Sequence, residues 1–66
     1  MMNGIEKYID DRIAYLDEKI ETANREIVRL TAEGRISNAK RIQNTALALA
    51  IFQGQLNELI EVRKRI

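Results

Sequence analysis

Four residues in the first half of the chain, Tyr8, Arg12, Tyr15 and Lys19, stand at helical spacing and combine two aromatic rings with two cations. On one helix face such a stripe could stack on bases and neutralise phosphates. It could equally form the amphipathic rim of a subunit interface, where tyrosine is favoured. A second cationic group follows: Arg25, Arg29, Arg35, Lys40 and Arg41 set five bases against two acids, Glu26 and Glu33, within residues 23–42. These side chains could hold nucleic acid, a phosphate-bearing small ligand or an acidic protein surface. The alternative is electrostatic fit within an assembly. Residues 1–22 carry six acids and three bases, so opposite ends of two antiparallel copies would attract. Asp10, Asp11, Asp17 and Glu18 crowd the face beside the tyrosines and would repel a polyanion.

Reactive chemistry finds little to work with. The chain of 66 residues has no Cys and no His, which removes disulfides, thiol or imidazole metal sites and nucleophile–His catalysis. Its one serine, Ser37, has a helix start to cap, and Asp17 and Glu21 share a helix face in the manner of solvated surface charge. No catalytic, cofactor-binding or metal-ligating residue is identified, and an enzyme is not expected. The net charge of +1 selects no partner through bulk field.

The elements that must position these groups are two helices. There is no Pro, and only three Gly interrupt the chain. Asn3 followed by Glu6 reads as an N-cap with its capping-box acid, so a first helix is expected over about residues 4–33. Gly34 suits the left-handed position that ends a helix. Ser37 is expected to cap a second helix over about 37–65, after a turn at about 34–36. Ile9, Ile13, Leu16, Ile20, Ala23, Ile27 and Leu30 alternate spacings of four and three, as do Ala39, Ile42, Ala46, Leu49, Gln53, Leu56 and Ile60. Folded back through a short turn, the two rows match layer by layer, from Leu30 with Ala39 through Ala23 with Ala46 and Leu16 with Gln53 to Ile9 with Ile60. The predicted fold is all-α, a single antiparallel two-helix coiled-coil hairpin spanning 1–66.

The second helix has apolar surface left over. Ala48, Phe52, Gln55, Leu59, Val62 and Ile66 trace a further row on a neighbouring face, and Leu47 and Ile51 lie on the far side from the hairpin seam. A helix apolar all round is normally buried all round, which one partner helix cannot achieve. A domain this small, without disulfide or metal staples, also gains stability most readily by oligomerising. These eight residues are therefore the expected interface of a homo-oligomer, a four-helix bundle if dimeric, with dimer the first expectation and larger rings the alternative. A groove kept for a different protein can coexist with it. Gln53 and Gln55 either fix register and copy number or face a ligand. Gly54, costing roughly 1 kcal/mol inside a helix, suits close approach of another helix or ligand.

In length, two-helix plan and heptads the chain resembles the short plasmid-encoded RNA-binding hairpin that dimerises into a four-helix bundle. No motif is shared, so no functional residue is carried over. Very small Cys-free hairpins of this kind are common among phage and plasmid accessory proteins. The function expected is binding by a homo-oligomer that regulates, inhibits or adapts a second protein. The alternative is capture of nucleic acid or a nucleotide ligand at sites between subunits. The charge-free stretch Gln43 to Asn57 is too short and polar to span a bilayer, and the first residues lack a secretory pattern. A cytoplasmic setting is expected, the host cytoplasm for a phage-encoded chain, with no membrane partner.

Overall fold

A computed structural model describes residues 4–66 as two long helices joined by a tight turn. Helix α1 runs Gly4–Glu33 and helix α2 runs Ala39–Arg65, with a short 3-10 turn at Ile36–Asn38 between them. The expected cap at Asn3 lies outside the described residues. Gly34 closes α1 at φ 64°, the left-handed conformation anticipated from its type, and its N–H donates to the Thr31 carbonyl at 3.1 Å. The hairpin measures 51 × 16 × 13 Å.

Helix α1 follows its expected row. Ile9, Leu16, Ala23 and Leu30 are buried at heptad spacing, and Ile13, Ile20 and Ile27 flank them half-buried. Leu16 is wholly inaccessible and Leu30 nearly so. Its outer faces carry i, i+4 ion pairs, among them Lys7 with Asp11 at 3.0 Å, which support an exposed helix surface by a few tenths of a kcal/mol each.

Helix α2 departs from expectation in two ways. It starts at Ala39 rather than Ser37, and Ser37 sits exposed within the 3-10 turn. Asn38 does the joining instead: its Nδ2 donates to the Leu30 carbonyl at 3.3 Å and to Glu33 Oε2 at 2.8 Å. One of the orphan carbonyls ending α1 is thereby satisfied from across the turn. An amide reaching backward is not a helix cap, so spacing alone points to the wrong residue.

The second departure is rotational. Ile42, Leu49 and Leu56 face inward as expected, but their companions are Asn38, Thr45, Phe52, Leu59 and Arg63, all half-buried. Ala39, Ala46, Gln53 and Ile60, expected in the seam, are exposed. Both rows alternate three and four, so periodicity permits either. Burial decides between them. Covering a Phe side chain is worth about 1.5–3 kcal/mol, whereas burying an unpartnered amide costs about 1–3 kcal/mol. Phe52 therefore takes the inner position that the heptad assigned to Gln53, and no buried side-chain polar atom among the described residues lacks a partner. The Ala23–Ala46 layer is replaced likewise: Thr45 turns inward and satisfies its hydroxyl by donating to the Arg41 carbonyl at 2.8 Å.

Candidate functional site

The turn end gathers the second cationic group, and acids occupy much of it. Arg25 pairs with Glu21 one turn earlier. Arg29 bridges Glu33 at 2.9 Å and Glu26 at 3.4 Å. Arg41 reaches across from α2 to the same Glu26 at 3.0 Å, tying the helices together. Arg35 and Lys40 have no ion-pair partner among the described residues. Beside them Ile36 is 94% exposed, the most solvent-accessible of the large apolar residues described. Sequence reasoning passed over Ile36. The available signal is its phase, since an isoleucine in the turn, off both heptad rows, cannot enter the seam.

The aromatic stripe folds as one exposed row on α1. The Arg12 guanidinium lies 4.7 Å from the Tyr15 ring centre and Lys19 Nζ lies 5.4 Å from it, so Tyr15 holds a cation on each side along the helix. At exposed sites each such contact is worth about 0.5–1 kcal/mol. Tyr8 stays largely exposed and lines a shallow groove with Arg12 and Leu16 on α1 and Gln55, Glu58, Leu59 and Val62 on α2. Gln55 thus opens onto solvent between the helices rather than into a core.

The terminal end is fastened by charge. Arg63, whose neighbours Lys64 and Arg65 also suit a helix C-terminus, donates from Nε to Asp10 at 2.9 Å and lies 4.0 Å from Glu6. This clasp spends one arginine of the Arg63-Lys64-Arg65 run inside the hairpin.

The expected oligomer row divides. Phe52 and Leu59 are drawn into the hairpin seam, with Ala48 half-buried at its edge. Leu47, Ile51, Val62 and Ile66 stay out, with Leu47 59% and Ile51 61% exposed. No residue of α2 is buried. The charge-free run from Gln43 to Asn57 therefore presents its outer side, with two large aliphatic residues at its middle, directly to solvent.

No cluster of metal-ligating side chains occurs among the described residues, and no helix there is long and apolar enough to cross a membrane. Comparison with protein-family models, with curated proteins and with solved structures finds no match for this chain.

Proposed function

We propose that this chain is a non-enzymatic binding protein: a helical hairpin that self-associates and, as an oligomer, regulates, inhibits or adapts a second protein. The observation that carries the reading is α2, a helix of 27 residues none of which is buried, with Leu47 and Ile51 bare in its uncharged middle. Water-exposed aliphatic groups on a helix this apolar favour association. A second copy answers that need, and the turn end remains for the regulated protein. There Ile36 supplies an apolar anchor, with Arg35 beside it to meet carboxylates. A cytoplasmic setting and a phage or plasmid accessory role belong to the same proposal; the cysteine-free composition and the small-hairpin plan support them.

Nucleic acid or nucleotide capture is the weaker reading because Glu21, Glu26 and Glu33 engage Arg25, Arg29 and Arg41 at the very end that would receive phosphate. Salt separates the two. Sedimentation of the protein at micromolar concentration should give a mass above that of one chain, unchanged from low to moderate salt. Binding of a short single-stranded oligonucleotide, read by fluorescence anisotropy, should be absent even at low salt. A compact monomer that melts cooperatively would overturn the proposal. Oligonucleotide binding that falls steeply with salt would replace it with the capture reading.

A further inference from the structure

On the outer side of α2, seven exposed residues repeat the four-three spacing: Lys40, Asn44, Leu47, Ile51, Gly54, Glu58 (which also borders the Tyr8 groove) and Glu61. The ridge extends roughly 30 Å along the helix. Its order is self-complementary. Reversed against itself about Ile51, the ridge sets Lys40 beside Glu61, Asn44 beside Glu58, Leu47 over Gly54 and Ile51 on Ile51. Placed parallel to itself, it sets Lys40 on Lys40, Glu58 on Glu58 and Glu61 on Glu61, which are like charges in contact. We propose that two copies of this chain pack back to back through α2, antiparallel, with the two-fold axis at Ile51 and α1 of each copy on the outside. This deepens the self-association proposed above and rests on it.

Of three observations, the first selects a second copy as the occupant and the other two agree with it. The first is charge. Lys40 and Glu58 make no ion pair among the described residues, and Glu61 meets only Lys64 of its own helix at 3.4 Å. The unused charges of the ridge thus lie where the antiparallel mate brings the opposite sign or an amide. The second is area. The chain exposes 5178 Å² with a radius of gyration of 15.2 Å. A compact monomer of this mass exposes about 4,300 Å² and has a radius of gyration of about 11 Å. The surplus is about 900 Å², close to the roughly 800 Å² each partner contributes to a standard interface. The third is the neighbouring row. Phe52 and Leu59, its largest members, already face α1, which leaves Leu47 and Ile51 as the large aliphatic pair at the middle of the uncharged stretch. Gly54 agrees with this placement: a Cβ there would meet nothing within 4 Å, so the hairpin itself gives no reason for glycine, whereas a leucine crossing over it does.

Because the chain has no cysteine, single cysteines report the geometry directly. Ile51→Cys, Leu47→Cys, Gly54→Cys and Val62→Cys are each treated with a short bismaleimide at micromolar concentration, alone and as the mixture of Leu47→Cys with Gly54→Cys. Circular dichroism and sedimentation confirm that each variant keeps the native helicity and mass. The expected result is efficient dimer cross-linking of Ile51→Cys alone. For Leu47→Cys and Gly54→Cys it is several-fold more cross-linking in the mixture than in either alone. Self-linking of Leu47→Cys matching that of Ile51→Cys would overturn the antiparallel arrangement. A native mass above one chain with cross-linking at Val62 and none at Ile51 would move the interface to the Tyr8–Val62 groove, overturning this inference while self-association stands. A monomer by sedimentation would overturn both. Reversing the end charges gives a check that leaves the apolar centre untouched: Lys40→Glu should weaken dimerisation several-fold, and Lys40→Glu with Glu61→Lys should restore it.

Discussion

The rotation of α2 can be tested by two adjacent residues whose expected roles exchange between sequence and structure. The heptad pattern puts Gln53 opposite Leu16 and leaves Phe52 for another surface; the structure turns Phe52 inward and exposes Gln53. Truncating a fully buried Phe to Ala costs about 3–5 kcal/mol. Phe52 is only half-buried, so the loss scales to about 1.5–2.5 kcal/mol, offset by a few tenths because Ala is the better helix former. Gln53→Ala removes an exposed side chain and should stay within about 0.5 kcal/mol. In a domain of this size each kcal/mol moves the melting midpoint by about 4–8 °C. Phe52→Ala should therefore lower Tm by about 5–18 °C, and Gln53→Ala by less than about 4 °C. Melts by circular dichroism must be run at one protein concentration, since association adds a concentration-dependent term to apparent stability. A larger loss for Gln53→Ala than for Phe52→Ala would refute the rotation and restore the polar seam.

Three further substitutions probe the fastenings. Asn38→Ala removes the amide that donates to Leu30 and Glu33 and should cost about 0.5–1.5 kcal/mol in urea melts; Ser37→Ala, exposed and uncapping, should change little. Arg63→Glu should destabilise by about 1 kcal/mol through loss of the Asp10 and Glu6 contacts, and Asp10→Lys added to it should recover part of that loss, an effect that high salt should shrink. Gly34→Ala places a side chain at φ 64° and should cost about 1–2 kcal/mol, read as an earlier urea midpoint with unchanged slope.

The parts of this fold legible in the sequence are those with one physical solution. With Gly34 as the only break between two long heptad runs, and with Ile9, Leu16, Ala23 and Leu30 at strict seven-residue spacing, α1 could present only one face to a partner. Helix α2 offers several apolar rows at the same spacing, so periodicity cannot rank them; the ranking comes from what each rotation buries, Phe52 and Leu59 or Gln53 and Ile60. The turn is ambiguous for a related reason. Ser37 matches the local capping pattern, whereas the role of Asn38 depends on where the end of α1 lies in space. At the candidate surfaces the positions of the cations were legible and their neutralisation was not. Glu26 joins Arg29 of its own helix to Arg41 of the other, a contact that exists only once the hairpin closes.

That division has a consequence for how the molecule can bind. The closed hairpin uses its charges in pairs: Arg63 at one end, Arg29 and Arg41 at the other. Among the surfaces that remain uncommitted are the outer ridge of α2, which includes Lys40, and the tip formed by Arg35 and Ile36. In an antiparallel dimer centred on Ile51, the two tips point to opposite ends and Lys40 sits at the junction of ridge and tip. Each tip would then present Ile36 and Arg35 to a separate partner molecule, while Lys40 is held by Glu61 of the mate. Lys40→Glu should accordingly weaken dimerisation, whereas Ile36→Asp, lying off the ridge, should leave the sedimenting mass and the melting midpoint unchanged. A loss of dimer in Ile36→Asp would place the tip inside the interface and contradict the assignment of separate surfaces to self-association and to the second protein.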